Sequence, residues 1–192
     1  MNGQAERILS QFLRGNERFR SGVPQTAAYA ADDFAAFGRG QSPQAAVITC
    51  SDSRVAPEVI FDQPLGSFLV ARVPGNVASE SVRWMLDIAV CELKVSLVLV
   101  VGHTGCRAIE QVIENKPSAR HESLQAGIFK AMERVREADP RGFLRTAAME
   151  NARQTVFELL RDVPALRDAA QAGTTATLPA LYEVATGRVQ ML

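Results

Sequence analysis

The sequence predicts an α/β fold: a mostly parallel central sheet of about four to five strands, flanked by helices and preceded by an N-terminal helical arm. Two continuous apolar, β-branched runs, 45–49 and 95–102, are typical of strands buried inside a parallel sheet. Between them, residues 79–93 repeat apolar side chains at the i, i+3, i+4 spacing of a helix. Because parallel strands need a long crossover connection, this strand–helix–strand order favours the α/β class. A chain of 192 residues is expected to form a single domain, 1–192.

The N-terminal segment 1–44 is expected to form a helix followed by an arm. Residues 4–20 carry an apolar stripe at helical spacing, and residues 21–44, rich in Gly, Pro, Ala and Gln, include a short helix at 31–38. From the residues alone, the first helix could pack on its own core or lie across a second subunit. The stripe consists of Leu9, Phe12, Leu13 and Phe19.

The middle of the chain alternates short strands with helices. Pro57 suits the first turn of a short helix, which precedes a strand at 67–72. The helix at 79–93 is apolar on more than one side. This pattern predicts that Trp84 and Cys91 are buried in the core.

The second half of the chain is expected to be mostly helical. A helix follows Cys106 and stops before Pro117, and two longer helices are predicted over 118–139 and 142–162. Residues 165–172 are compatible with one further helix.

Two edge strands are predicted near the C-terminus, over 174–182 and 188–191, joined by a turn at Thr186-Gly187. Pro179 has no amide hydrogen to donate to a ladder, which argues that the first of these strands is not a fully paired central one. His121, in the predicted helix before them, is interpreted as a solvated or capping residue.

Composition and charge argue against several classes of function. The formal net charge is zero at pH 7, which disfavours nucleic acid or an acidic membrane as the main partner. No stretch is long and apolar enough to span a bilayer, and the polar first residues lack the apolar core of a secretory signal. Three cysteines are an odd number and suggest no disulfide framework. A cytoplasmic protein with reduced thiols is expected.

Polar residues follow both apolar strands. Cys50, Asp52 and Arg54 come directly after the first strand, and His103 and Cys106 come directly after the second. If both strands lie in one parallel sheet, the two motifs meet at its carboxyl edge, where ligand sites form in open α/β sheets. Two thiols and one imidazole are zinc ligands, and three protein ligands leave a fourth position for water.

Each piece of this pattern also has an ordinary explanation. A cysteine at a strand end is usually a small buried hydrophobe, and a His-x-x-Cys spacing alone is a weak signal. Asp52 and Arg54 could form a surface ion pair of little energetic weight, or a bidentate pair that holds the carboxylate. On the first turn of a helix, His103 and Cys106 would share one face, and the helix N-terminus would favour a Cys106 thiolate. Only their coincidence at the ends of two buried strands favours a metal site.

The segments CSDSR (50–54) and GHTGC (102–106) together resemble the β-class carbonic anhydrases. The resemblance implies the fold of that family and a zinc-dependent, reversible hydration of CO2 to bicarbonate and a proton. It continues in four further segments: Gln41-Ser42-Pro43, residues 54–66, Gly75-Asn76 and residues 186–189.

The resemblance also implies a ligand set and a mechanism. One Zn²⁺ per chain would be bound by Cys50, His103 and Cys106, and a zinc-bound hydroxide would attack CO2. Asp52 would have two states: a fourth ligand in a closed site, or a carboxylate held back by Arg54 so that water takes the fourth position. Asp52 and Arg54 are therefore the catalytic candidates.

Three residues are candidates for substrate binding by resemblance: Gln41, which would hydrogen-bond bicarbonate, Gly105 and Arg107. A solvated loop position is an equal alternative for Gln41. The family usually has glycine where Arg107 stands, so Arg107 could crowd the mouth of the site or bind an anion. The resemblance further implies a homo-oligomer, either a dimer or a dimer of dimers, in which residues 1–44 pack on a partner subunit.

Other functions are compatible with the same ligands. A carbonyl sulfide or carbon disulfide hydrolase would use the same zinc water, and a catalytically silent family member would keep the zinc closed by Asp52. A cysteine nucleophile or redox site is disfavoured, because the motifs lack the Cys-x-x-Cys spacing.

Overall fold

The structure, a computed structural model of one chain, describes residues 2–25, 29–114, 122–135 and 142–192. Its strands are Ala45–Thr49 (β1), Phe68–Arg72 (β2), Leu97–His103 (β3), Ala176–Glu183 (β4) and Arg188–Met191 (β5). They form one sheet of order β2-β1-β3-β4-β5, in which β1 to β4 run parallel and β5 runs antiparallel to β4. The predicted fold class, a mostly parallel sheet flanked by helices, is confirmed.

Helices precede, connect and follow the parallel strands. They are α1 (Gly3–Arg20), α2 (Ala31–Phe37), α3 (Pro57–Ile60), α4 (Glu80–Asp87), α5 (Arg107–Ile113), α6 (Glu122–Val135), α7 (Phe143–Asp162) and α8 (Pro164–Gln171). A 3-10 turn, Pro74–Asn76, follows β2, and a π-helical turn, Ile88–Glu92, continues α4. His121 lies outside the described residues. Of the helices in the described ranges, none is long and apolar enough to cross a membrane.

The sheet is covered on both faces, because successive side chains of a strand point to opposite sides. Val47 and Leu99 face α1 and α3, where Phe12 belongs to the same apolar cluster. Ile48 faces the other side and packs in a cluster with Leu86 of α4 and with residues of α7 and α8. All five side chains are fully buried. Because both faces of the sheet are covered in this way, the strand sequences are continuous apolar runs.

Helix α1 packs on the sheet of its own chain. Ile8 and Phe12 are buried there, and Asn16 binds the same surface through hydrogen bonds to the Ile60 carbonyl oxygen at 3.0 Å and from the Val189 amide at 2.9 Å. The apolar face of α1 therefore packs on the core of the same chain, which is one of the two arrangements that the sequence allowed. The packing of segment 1–44 on a partner subunit stays a prediction.

The prediction that the strand containing Pro179 lies at the sheet edge is wrong. Strand β4 pairs with β3 on one side and with β5 on the other, and Pro179 is in register with Val100. The Pro179 carbonyl oxygen accepts a hydrogen bond from the Leu192 amide at 3.1 Å, so it faces β5. The missing N–H faces the same side, beyond the last β4–β5 pair, Ala180 with Met191. An interior strand tolerates proline here because its missing N–H lies on the β5 side at the very end of the ladder, where the bond from the Leu192 amide to the Pro179 carbonyl oxygen is the last one.

The predicted burial of Trp84 and Cys91 is also wrong. Trp84 is 70% exposed, because α4 buries Val82 and Leu86 on one face and Trp84 lies about 200° around the helix from Val82. Cys91 is exposed as well. It lies in the π-helical turn, where the Leu93 amide donates to the Ile88 carbonyl oxygen at 3.0 Å, and this wider turn shifts the buried face relative to a regular helix.

Candidate metal centre

Three metal-ligating side chains meet at the carboxyl edge of the sheet. Strands β1 and β3 are parallel neighbours, so the residues that follow them emerge side by side. Cys50 directly follows β1, His103 is the last residue of β3, and Cys106 is the N-cap residue of α5. The predicted placement of His103 and Cys106 on one helical turn is wrong: a tight turn with Gly105 at φ +67° separates strand from helix.

The cluster has the dimensions of a tetrahedral metal site. The ligand atoms of Cys50, His103 and Cys106 all lie within 4.8 Å of one another, and all three residues are buried. The two sulfur atoms are 3.9 Å apart. Two thiolates that bind one zinc at tetrahedral angles would lie about 3.8 Å apart. The predicted ligands are therefore brought together at a spacing that suits a shared metal.

The imidazole of His103 is oriented as a metal ligand. Its Nδ1 atom lies 3.0 Å from the Thr104 carbonyl oxygen, and because a carbonyl only accepts, Nδ1 carries the proton. The lone pair is then on Nε2, which is buried and has no hydrogen-bond partner among the described residues. A buried acceptor without a partner is unfavourable, and a bound metal ion would satisfy it.

The pKa values of the two thiols are shifted in opposite directions, because ionisation of one disfavours ionisation of the other. The pKa of Cys50 is lowered from 9.0 to about 4, first because the Cys106 thiol donates a hydrogen bond to it, although burial acts in the other direction. The pKa of Cys106 is raised, because the Cys50 sulfur and burial both disfavour a second thiolate. Amides at the start of α5 lower the pKa of Cys106, as predicted, but by less. Two buried thiolates therefore need a cation, which a divalent metal supplies.

Asp52 lies beside this cluster and is held by Arg54. The Arg54 guanidinium donates through Nε to Oδ1 at 2.9 Å and through Nη2 to Oδ2 at 2.7 Å. These bonds keep the pKa of Asp52 well below its usual range. Arg54 Nη2 also donates to the Gly105 carbonyl oxygen at 3.2 Å, which links the two motif loops. The carboxylate is thus bound by Arg54. The resemblance to the β-class carbonic anhydrases implies that, in this state of Asp52, water takes the fourth metal position.

Several further contacts to the site come from residues outside the predicted ligand, catalytic and substrate-binding sets. The Gly75 amide donates to the Cys50 sulfur at 3.4 Å, and Asn151 Nδ2 donates to the Gly75 carbonyl oxygen at 2.7 Å. Arg72 binds the main chain of the loop that carries Cys50. Arg72 could have been found, because it ends the strand next to β1 at the same sheet edge. Asn151, in the middle of a long helix, carries no such signal.

The substrate-binding candidates are not all at the cluster. Gln41 lines a separate groove on this chain, beside Phe37 and Leu65. Gly105 and Arg107 flank Cys106 and are exposed. The Nη1 atom of Arg107 lies 3.3 Å from a carboxylate oxygen of Glu110 and 3.2 Å from one of Glu114. The Arg107 side chain therefore lies along α5 in the direction of these two carboxylates.

Known proteins share this sequence pattern. The profile of one family, described as carbonic anhydrase, matches residues 45–189, which is more than half of the chain. A carbonic anhydrase of Mycolicibacterium smegmatis is 32% identical over 184 residues, covering 92% of this chain and 88% of that protein. Carbonic anhydrase 2 of Mycobacterium tuberculosis is 42% identical over 99 residues, or 52% of this chain and 48% of that protein. The match thus spans about half the length of this second relative.

A solved structure shares the fold. The tetrameric β-carbonic anhydrases of the ascomycete Sordaria macrospora include a chain that matches with a TM-score of 0.75 at 20% identity. The match covers 83% of this chain and 85% of that one. At this identity the likeness concerns the arrangement of helices and strands only.

Proposed function

The chain belongs to the β-class carbonic anhydrase family, and from this premise we propose that it catalyses the reversible hydration of CO2 to bicarbonate and a proton. The observation that carries the proposal is the buried cluster of Cys50, His103 and Cys106 beside an Asp52 carboxylate bound by Arg54. This set of groups suits a three-ligand metal site with one position free for water.

We assign one Zn²⁺ per chain to Cys50, His103 and Cys106. Two sulfurs and one imidazole nitrogen at these separations favour zinc over the hard cations, which prefer oxygen ligands. When bound, zinc would lower the pKa of a water ligand and so make a nucleophile available near neutral pH.

The residues of the chain hold and tune this centre. The two cysteines supply two negative charges in a buried place, and the Thr104 carbonyl fixes the His103 ring so that Nε2 is the ligating atom. Asp52, held by Arg54, would accept a hydrogen bond from a water at the fourth metal position and so orient that water toward CO2. Arg54 also donates to the Gly105 carbonyl oxygen, so it connects the Asp52 carboxylate to both motif loops.

Gly105 and Arg107 complete the substrate side of the proposed site. Both are exposed and flank a ligand in sequence. The contacts of Arg107 to Glu110 and Glu114 both use Nη1, and its Nε and Nη2 atoms donate to none of the described residues. These atoms are available to the bicarbonate anion as it leaves.

The arm, residues 21–44, supports a proposed homo-oligomer. Phe34 and Phe37 are 57% and 40% exposed and pack with Tyr29 into an aromatic surface beside Leu65. Exposed aromatic patches of this kind are typical of protein interfaces. Gln41 lines the same groove, so a second copy seated there would bring Gln41 into the interface, and from there Gln41 would reach the substrate of the partner.

Light scattering tests this assembly. A Phe34→Ser/Phe37→Ser variant is expected to have a lower mass in solution than the wild type. Phe157→Ser is the matched control, because Phe157 is 56% exposed on α7, away from the arm. Equal masses for all three proteins would refute the arm as an interface.

We also propose a cytoplasmic location, since the unpaired Cys50 and Cys106 thiols suit a reducing compartment. Fractionation of the source cells checks this, and recovery in an oxidising compartment would contradict it.

Stopped-flow measurement of CO2 hydration tests the function directly. The zinc-loaded chain is expected to accelerate hydration between about pH 6.5 and 9, to lose this activity to a chelator and to regain it with added zinc. Cys91→Ala serves as the control thiol variant and is expected to keep full activity, because Cys91 is exposed and precedes β3, whereas the cluster lies at the opposite, carboxyl end of that strand. A chain with one zinc and no hydration at any pH in that range would refute the proposal.

A further inference from the structure

Arg72 bridges the main chain of the loop that carries Cys50 and Asp52. It is the last residue of β2 and is in register with Thr49, the last residue of β1. Its Nε atom donates to the Cys50 carbonyl oxygen at 3.2 Å, and its Nη2 atom donates to the Asp52 carbonyl oxygen. One rigid guanidinium therefore holds the first and third residues of the loop at a fixed separation.

The loop is fixed from three directions at Asp52. Its carbonyl oxygen accepts from Arg72 and from the Val55 amide at 3.1 Å, while its carboxylate is bound by Arg54. Because each peptide group is planar, holding the carbonyls at 50 and 52 fixes the orientation of two peptide planes of the loop. This restricts the backbone torsions at the two residues from which the Cys50 and Asp52 side chains project. Among the described residues, the Arg72 side chain donates to no other group.

We propose that Arg72 is a positioning residue that keeps the fourth metal position open. By holding the Cys50 and Asp52 carbonyls, it keeps the Cys50 sulfur directed at Cys106 and the Asp52 carboxylate directed at Arg54. Without Arg72, the loop relaxes and Asp52 turns onto the metal. This inference rests on the proposed metal site, and the hydrogen bonds of Arg72 go to main-chain carbonyl oxygens rather than to a metal ligand atom.

The experiment uses the chain loaded with Co²⁺, whose absorption spectrum reports its ligands. At one fixed pH, thiocyanate is titrated into wild type, Arg72→Gln and the control Arg153→Gln, which removes an exposed arginine paired with Glu150 on α7. Wild type and control are expected to show a spectral change as the anion enters the open position. In Arg72→Gln, cobalt is expected to bind but the apparent affinity for thiocyanate to fall about 10- to 100-fold.

A double variant separates closure by Asp52 from general damage to the loop. Arg72→Gln/Asp52→Ala is expected to recover the thiocyanate response, because no carboxylate is left to occupy the fourth position. A wild-type response in Arg72→Gln would overturn the proposal, and so would a weak response that persists in the double variant. If Arg72→Gln does not fold, Arg72→Lys takes its place, with the same expected direction and the same double variant.

These spectra do not depend on turnover. An inactive wild type with a normal thiocyanate response would refute the proposed hydration reaction and leave the role of Arg72 standing. If the wild type is active and Arg72→Gln still responds normally to thiocyanate, the role of Arg72 is refuted and the proposed hydration reaction stands.

Discussion

The Arg54 guanidinium binds the Asp52 carboxylate through two nearly parallel hydrogen bonds of 2.9 and 2.7 Å. The Arg54 side chain is 51% exposed and the Asp52 side chain only 15%, so a solvated cation holds a half-buried anion beside the metal cluster. Two outcomes are open to a carboxylate in this place, namely ligation of the metal or a hydrogen bond to a water on it. The bidentate hydrogen bonding of Arg54 to Asp52 favours a hydrogen bond to the water over ligation of the metal.

Loss of the Arg54 side chain is expected to close the site. Arg54→Gln should retain one zinc per chain, because the three ligands are intact, but lose about 10- to 100-fold in kcat for CO2 hydration. Zinc analysis and stopped-flow kinetics measure both quantities. Arg167→Gln is the control, since the exposed Arg167 guanidinium pairs, within the described residues, with its neighbour Asp168 alone, at 3.4 Å. An Arg54→Gln enzyme with full zinc and full activity would remove the role assigned to Arg54.

Cys106 and Cys91 are expected to differ in metal binding. Cys106→Ala should no longer retain zinc after dialysis against a chelator, because the loss of a ligand leaves only two protein groups on the metal. Cys91→Ala should keep its zinc, because Cys91 is exposed on the π-helical turn. Atomic absorption on the two dialysed proteins gives the answer. Retention of zinc by Cys106→Ala would show that the metal binds elsewhere.

A close contact between α1 and α3 depends on Gly15. A Cβ atom there would lie 1.8 Å from the Phe61 carbonyl oxygen, so Gly15→Ala must displace the backbone of one element. We expect the free energy of unfolding to fall by about 3 kcal/mol. Gly3→Ala on the same helix should change it by less than about 0.5 kcal/mol, because the nearest atom to its Cβ is Arg7 Nη1, 3.7 Å away, at the end of a flexible side chain. Urea unfolding of both variants checks this, and equal midpoints would contradict it.

The ion pair between α7 and β4 should contribute a pH-dependent stability. Arg145 binds the Glu183 carboxylate at 2.7 Å and lowers its pKa below the ordinary value of 4.5. A carboxyl group whose pKa is lower in the folded state stabilises the fold above its unfolded pKa, and this contribution is lost as the pH falls through the folded pKa.

The wild type should therefore be more stable than Glu183→Gln near neutral pH, by less than about 1 kcal/mol because both groups are partly solvated. The difference should shrink below pH 4.5. Denaturant titrations at several pH values measure it. A difference that grows toward acid pH would mean that Glu183 is not stabilised as an anion.

The sheet and the convergence of Cys50, His103 and Cys106 could be predicted because they depend on local patterns. A continuous β-branched run identifies a buried parallel strand, and the carboxyl ends of parallel neighbours meet by geometry alone. Cys50, His103 and Cys106 follow two such runs, so their convergence required no knowledge of side-chain packing. The same reasoning indicated the pairing of Asp52 with Arg54, which are two residues apart.

The features that were predicted wrongly depend on tertiary packing. Cys91 is exposed because a π-helical turn shifts the buried face of the helix. The residue pattern in 79–93 did not predict that turn. Pro179 fits an interior strand because its missing N–H points to the place where β5 ends, which is set by the hairpin rather than by the proline. The contribution of Asn151 to the site comes from α7, a helix that approaches the cluster only in the folded chain.

The most direct test of the account is X-ray absorption spectroscopy at the zinc edge of the purified, metal-loaded chain. Ligation by Cys50, His103 and Cys106 with an open fourth position predicts two sulfur neighbours at about 2.3 Å and two lighter neighbours, one of them an imidazole nitrogen, at about 2.0–2.1 Å. Three sulfur neighbours, no sulfur at all, or a chain that binds no zinc would contradict the central claim.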